Sequence, residues 1–409
     1  MFRVRTGLIG IGLIVFLLFF PGNVHAKDLG PSLIGQGAVL MDARNGQVLF
    51  QKNMRQQMYP ASTTKILTAI LALEMGNLYD LVMVPEEACR VEGSAIGLQA
   101  GERLSLNDLL YALMLASAND ASVTIACHLA GSMDNFAALM NKKAKSLGAT
   151  ASNFTSPSGL PATDHYTCAY DLALITRYAL QNTTFREIVK TRLKIISRPE
   201  ADRTKGPPQE HLWNHNRFLE CYQRATGVKT GYTEEAGQCL AAAAQRDDRE
   251  LIAIVLNSQG DAIYEDAQKL LDYGFNNFMP VQVVEKGEKI ASVEVAQGKP
   301  AMVELITANA YWYNFPRGDF PDLTRRVQLA PKIKAPLQAG QKMGELGIYG
   351  QEQKIGEVDL VAAQTLDKIS NQSWLYWLAG IVLFAFYLRV KATHQCKRRL
   401  YRRAKRYNL

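Results

Sequence analysis

The sequence predicts an α+β fold: helices packed on a mixed sheet, then a small all-β domain, then a C-terminal membrane helix. Three observations predict it. Two hairpin signals, one early and one late, enclose a block of long helical patterns. The composition turns strand-like near residue 278. Finally, the run from Trp374 to Leu388 carries no charge at all.

In chain order, Met1-Phe2-Arg3-Val4-Arg5 precedes an apolar run from Gly7 to Phe20, and Val24-His25-Ala26 offers small residues where a signal peptidase would cut. Residues 1–26 therefore read as a secretory signal, with a mature chain starting at Lys27. The first hairpin joins Ala38-Val39-Leu40-Met41 to Gln47-Val48-Leu49-Phe50 through Arg44-Asn45-Gly46, since Asn-Gly between apolar runs suits a tight turn. Helical patterns follow over Thr63 to Met75, Asn107 to Ala116, Asp134 to Ser146 and Asp171 to Leu180, the first and third closed by Gly76 and Gly148. Leu240-Ala241-Ala242-Ala243 and Leu251 to Leu256 then bracket the charged turn Arg246-Asp247-Asp248-Arg249, a second hairpin.

From Val281 the alternation has period two, as in Ile290 to Val295 and Ile355 to Val358, punctuated by Gly287, Gly298, Gly340 and Gly350. A small all-β domain is expected over 279–365, with a linker at 366–373. No catalytic constellation occurs in it, so it reads as a spacer or docking module. The apolar stretch at 374–390 begins with aromatic residues, is apolar on every face, and ends at Arg389 and Lys391, which can snorkel. That pattern predicts a membrane anchor in contact with lipid. The basic tail at 391–409 should stay cytoplasmic, leaving the rest of the chain on the extracytoplasmic face.

Of the net charge of +8, nine basic residues lie between Arg389 and Leu409, so the excess is a local tail and does not point to nucleic acid. The six cysteines are widely spaced, with no Cys-x-x-Cys pair. Neither a zinc site nor any other metal is expected, no cofactor is implied, and buried thiols are the expected state.

Three short motifs carry the chemistry: Ser62-Thr63-Thr64-Lys65, Ser117-Ala118-Asn119 and Lys229-Thr230-Gly231. A serine and lysine three apart arise by chance roughly once or twice in a chain of this size, so the ordered triple decides. Ser62 at a helix N-terminus and Lys65 one turn on share a face, which brings amine to hydroxyl. As a base Lys65 must be neutral, so its pKa of about 10.4 has to fall by roughly two to three units, through burial and a neighbouring cation such as Lys229. Ser117 and Asn119 can relay a proton and hold a substrate amide. Lys229 and Thr230 suit a terminal carboxylate, and Gly231 lets substrate backbone approach a strand edge.

Together the motifs resemble the penicillin-binding proteins and serine β-lactamases. Ser117-Ala118-Asn119-Asp120-Ala121, Ser156-Pro157-Ser158-Gly159-Leu160, Cys168-Ala169-Tyr170-Asp171-Leu172-Ala173 and Gly227-Val228-Lys229-Thr230-Gly231-Tyr232-Thr233 narrow the resemblance to the low-molecular-mass D-alanyl-D-alanine carboxypeptidases. The resemblance implies a β-lactamase/DD-peptidase-like catalytic domain over 27–278, an antiparallel sheet with helices plus a helical subdomain. It also implies attack by Ser62 on peptidoglycan stem peptides, with Lys65 as base and Ser117, Asn119 and Lys229 assisting. Thr230 would bind the carboxylate, and the backbone amides of Ser62 and Tyr232 would form the oxyanion hole. β-Lactam antibiotics would acylate Ser62 as mimics of the dipeptide.

Many relatives carry an arginine just before the helix after the last hairpin, where it holds the substrate carboxylate. Gly260-Asp261-Ala262-Ile263-Tyr264-Glu265 has none, and Arg249 or another residue is expected to substitute. The rival readings are a class A β-lactamase and a non-catalytic wall-binding protein on the same fold. Against the first, no Glu-x-x-Leu-Asn occurs between Asn119 and Lys229.

Overall fold

The computed structural model describes residues 30–331, 333–368 and 373–407, so the expected signal at 1–26 and half of the expected linker, 369–372, lie outside the described residues. The chain divides after Asn276 into two compact units.

In the first unit, β1 (Gly37–Asp42) and β2 (Val48–Lys52) form the hairpin around Gly46, whose φ of +78° needs no Cβ. A 3-10 turn over Ala61–Thr64 leads into α1 (Lys65–Met75). The short strands β3 (Leu81–Met83) and β4 (Arg103–Ser105) pair, and α2 (Leu106–Met114) starts where Ser105 Oγ accepts from Asp108 N. α3 (Asn119–Ala130) ends at left-handed Gly131, α4 (Met133–Ser146) is capped by Ser132, and α5 (Ala169–Ala179) and α6 (Thr183–Lys190) follow. Next come β5 (Leu193–Ile195), β6 (His211–Trp213), the short α7 (Phe218–Cys221), β7 (Ala225–Thr233), β8 (Gly237–Arg246), β9 (Arg249–Ser258) and α8 (Ala262–Asn277).

The main sheet runs β2-β1-β9-β8-β7 with every pairing antiparallel. Local pattern suggested a mixed sheet. The antiparallel sheet implied by the resemblance is the one formed, because each of its neighbours in the chain is joined by a tight turn and β1 pairs with β9. Alternation then sorts the strand residues. Val39, Met41, Ala241 and Ile254 join the large core beneath α1, α2, α3 and α5, while Leu40 and Leu251 meet α8 at Gly274, where a Cβ would come within 2.7 Å of either. β7 is left as an open edge beside the helical block.

The second unit holds β10 (Phe278–Val284), β11 (Lys289–Glu294), β12 (Gly298–Lys299), β13 (Met302–Thr307), β14 (Tyr311–Pro316), β15 (Leu323–Leu329), β16 (Lys342–Gly350), β17 (Gln353–Ala362) and β18 (Asp367–Lys368). A five-stranded sheet in the order β11-β13-β17-β16-β15 is accompanied by the pairs β10-β14 and β12-β18, with small aliphatic cores around Leu305 and Leu360. α9 (Ser373–Tyr407) includes one stretch, Leu375–Arg403, long and apolar enough to cross a membrane, with a mean hydropathy of 1.5. This helix runs on through the basic residues expected to form a separate tail, since Lys and Arg are good helix formers and nothing in Lys391 to Arg403 breaks the helix.

All six cysteines are free thiols. Only Cys168 and Cys239 are buried, whereas Cys89, Cys221 and Cys396 are exposed, so burial accounts for fewer of them than expected.

Candidate active site

The Ser62 turn is shaped by two flanking oddities. Ala61 holds a left-handed φ of +46°, and Gly159 lies so close that a Cβ on it would stand 1.9 Å from Ala61 O. A left-handed alanine costs of order 1–3 kcal/mol, strain the surrounding packing must hold. The turn delivers Ser62 onto the first residue of α1, Lys65, which is fully buried. Lys65 Nζ donates to Ser62 Oγ at 2.9 Å, Asn119 Oδ1 at 2.7 Å and Ser158 O at 2.8 Å. An ammonium saturates these three acceptors. A neutral amine keeps the bonds to Asn119 and Ser158 and turns its lone pair to the Ser62 hydroxyl, which then donates.

Asn119 opens α3, and its amide orientation is fixed: Nδ2 donates to Glu92 O at 2.6 Å, which leaves Oδ1 facing Lys65. The segment supplying Glu92 is fastened in turn. Asp120, next to Asn119, accepts from Ile96 N at 3.1 Å and Leu98 N at 3.0 Å. Arg198 forks onto both Glu102 oxygens at 2.8 Å and also bonds the carbonyls of Ile96 and Gly97. Ser117 sits before α3 at φ +58°, 6% exposed, with no side-chain hydrogen bond among the described residues.

Lys229 lies on β7, 1% exposed, and donates to Thr230 O at 2.9 Å. Gly231 shares its face, and a Cβ there would stand 2.7 Å from Ser62 N. The glycine was expected to admit substrate backbone; what it admits here is the Ser62 turn, which brings Ser62 N beside β7. Thr230 points to the opposite face of the strand from Lys229, and Tyr232 is 61% exposed.

Electrostatics follows burial. Desolvation drives the Lys65 amine well below its ordinary value, the Lys229 charge pushes it further down, and Asp120 opposes both. Desolvation alone pulls Lys229 down to about 7. Another buried base, His165, escaped the sequence reading. Its Nδ1 accepts from Thr155 N at 3.1 Å, so Nε2 carries the proton toward Thr64 Oγ1 at 3.0 Å. Burial lowers its pKa to about 4, which keeps it neutral beside α1. The available signal was a lone histidine between two of the matching stretches, too little by itself. Arg249, expected as a stand-in for the missing arginine, does not serve. It begins β9, is 8% exposed, pairs with Asp42 at 3.5 Å and donates to Gly274 O at 3.0 Å, at the far end of the strand from Ser258.

Comparison with known proteins agrees with this geometry. Residues 25–260 match the family model described as D-alanyl-D-alanine carboxypeptidase, and residues 278–368 match the C-terminal domain of penicillin-binding protein 5. The chain belongs to the D-alanyl-D-alanine carboxypeptidase family. Among its relatives, the D-alanyl-D-alanine carboxypeptidase DacF of Bacillus subtilis is 32% identical over 378 residues, covering 89% of this chain and 94% of the relative. DacD of Escherichia coli is 29% identical over 388 residues, covering 91% and 97%. Penicillin-binding protein 5 of Haemophilus influenzae superposes with a TM-score of 0.71 at 28% identity, covering 83% of this chain and 99% of that structure. The family is one of cell-wall-associated serine hydrolases that act on peptidoglycan and bind β-lactams. Neither rival reading is favoured by these matches.

Proposed function

We propose that Ser62 removes the terminal D-alanine from peptidoglycan stem peptides through an acyl-enzyme. The observation that carries this reading is the Lys65 amine, buried, depressed by the Lys229 charge and 2.9 Å from Ser62 Oγ. Neutral Lys65 takes the hydroxyl proton as Oγ bonds to the carbonyl carbon of the penultimate D-alanine. The backbone N–H groups of Ser62 and Tyr232 receive the developing oxyanion, a role supported by the close approach of Gly231 to Ser62 N. As the C–N bond breaks, the proton passes from Lys65, through Ser117, to the departing amine of D-alanine. Water then attacks the ester with Lys65 again as base, releasing the shortened peptide and restoring Ser62. Asn119 orients Lys65 and holds the substrate amide, while Lys229, Thr230 and Gly231 line the substrate strand. β-Lactams acylate the same hydroxyl.

The domain reading is proposed on the same footing: a signal at 1–26, a catalytic domain at 27–278, a β-domain at 279–365, a linker at 366–373, an anchor at 374–390 and a basic tail at 391–409. In that arrangement the catalytic domain works on the extracytoplasmic face and the C-terminus is cytoplasmic. The test is release of D-alanine from diacyl-lysyl-D-alanyl-D-alanine together with covalent penicillin labelling. The wild type should do both and Ser62→Ala neither, a loss of about a thousandfold or more. Release undiminished in Ser62→Ala sinks the reading.

A further inference from the structure

We propose that Arg217 is the residue that binds the substrate's terminal carboxylate, held for that task by Asp261; this rests on the carboxypeptidase reading above. The position just before α8 lacks an arginine of its own but is not without a guanidinium. Arg217 reaches it from the segment ahead of α7, its Nη1 donating to Asp261 Oδ1 at 2.9 Å, with the guanidinium carbon 5.6 Å from the centre of the Tyr264 ring. Both partners are open to solvent, 60% and 70% exposed, so the pair is within reach of a ligand. A guanidinium has five N–H donors in a planar fork. One is bonded to Asp261 among the described residues, and the others suit a carboxylate.

Strand register locates this guanidinium at the right end of β7. Tyr232 pairs with Gln238 and Gln238 with Ser258, so the chain leaving β9 toward Asp261 starts level with the exposed end of β7. The face is right as well. Thr230, Leu240 and Val255 form one cross-strand row, and Val255 packs beside Asp266 of α8 through Gly35. Thr230 therefore points to the α8 side, the side from which Arg217 comes, whereas Lys229 points inward to Lys65. A peptide lying along the open edge of β7 meets a hydroxyl and a guanidinium together at its end.

The segment carrying Arg217 is stiff. His215 N donates to Leu115 O at 2.9 Å, tying it to the Ser117 turn. Asn214 Oδ1 accepts from Asn216 N and Asn216 Oδ1 from Phe218 N, while Asn214 Nδ2 donates to Thr191 O at 2.8 Å. Phe218 stacks on Tyr222 at 5.3 Å and on Tyr264 at 6.5 Å, fixing α7 against the start of α8. Burial, and after it the Lys229 charge, lowers the His215 imidazole, which marks this segment as a wall of the same site. Arg217 is thus a pre-oriented substrate-binding residue and Asp261 a positioning residue.

The experiment compares full-length wild type, Arg217→Gln, Arg217→Lys and Asp261→Asn on two substrates, diacyl-lysyl-D-alanyl-D-alanine and its C-terminal carboxamide. Arg217→Gln should lower kcat/KM for the acid about 10- to 100-fold, mainly through KM, and leave the amide unchanged, because a charge-assisted contact is lost only where there is a carboxylate. Arg217→Lys should recover part of the loss, and Asp261→Asn should raise KM for the acid a few-fold. Equal losses on acid and amide would reduce Arg217 to a structural residue and overturn the proposal, as would an unchanged preference for the acid. If the wild type releases no D-alanine and takes no penicillin label, the carboxypeptidase reading itself fails and this proposal falls with it.

Discussion

The two units treat charge in opposite ways. In the catalytic unit Lys65, Glu102, Asp120, Arg198 and Lys229 are all at most 3% exposed. In the β-unit the buried polar residues among those described are Thr307 and Asn314, both neutral, and the ion pairs joining Lys289 to Glu304, Arg325 to Glu288 and Lys354 to Glu357 stand in solvent. Burying an ion costs several kcal/mol unless it is paired and hydrogen-bonded. Packing alone gives no reason to accept that cost, and the β-unit avoids it. The catalytic unit accepts it in two distinct forms. Arg198 and Glu102 are matched, so their role is to hold the Glu92 segment over Asn119. Lys65 and Lys229 have no carboxylate partner at ion-pair distance among the described residues, and in the proposed mechanism this desolvation is what leaves the Lys65 amine neutral, with a lone pair to take a proton from serine.

The sharpest way to break this contrast is to remove half of the matched pair. Glu102→Ala strands the Arg198 guanidinium in a dry interior and should destabilise the catalytic unit by about 3–5 kcal/mol, read as a fall in the midpoint of denaturant unfolding. A loss below about 1 kcal/mol would mean water reaches that pair.

Next in size is His165. Its folded pKa of about 4 lies below the unfolded value of about 6.5, so between these limits the unfolded chain binds the extra proton. Stability is fully present above pH 6.5 and falls as pH drops toward 4, by up to ~3 kcal/mol. His165→Asn should flatten this slope for the catalytic unit, measured by calorimetry across that range, while the β-unit, which has no histidine among its strands, keeps its transition.

Smaller again is an effect on the rate profile. Penicillin acylation should rise with pH as Lys65 loses its proton, and the Lys229 charge holds that limb low. Lys229→Met should move the limb to higher pH, whereas Lys229→Arg should leave it in place, whatever either does to the maximal rate. An unmoved limb in Lys229→Met would assign the depressed amine to burial alone.

Much of this was written locally in the chain. Asn45-Gly46 marks the first hairpin, and α1, α4 and α5 begin and end within about two residues of their periodic patterns, because caps and apolar stripes are local signals. The three motifs also converge as expected, with Lys65 touching both Ser62 and Asn119. What stayed hidden depends on distance along the chain. Arg198 and Glu102 are 96 residues apart, His165 meets Thr64 across 101, and neither spacing leaves a trace in composition. α3 is missing from the helical patterns of the sequence, since its small residues and Thr124 make a weak apolar stripe and its helix is held by burial on nearly every side. Gly231 illustrates a subtler limit: the need for glycine was legible, but that the crowding atom includes Ser62 N was not.

The smallest effect is expected where the contrast predicts almost none. Lys289 and Glu304 sit on neighbouring strands of the β-unit, 56% and 51% exposed, and bond across the pair β11-β13. Their attraction is screened by solvent and offset by the entropy of ordering two long side chains, so a typical pair of this kind contributes a few tenths of a kcal/mol. Replacing both with glutamine keeps the size and the strand pairing while removing the charges. The Tm of the β-unit should then shift by no more than about 2 °C, and salt should change it little in either protein. A shift of many degrees would mean that this surface carries electrostatic stability after all, and the division between a unit that buries charge for chemistry and one that merely wears it would no longer hold.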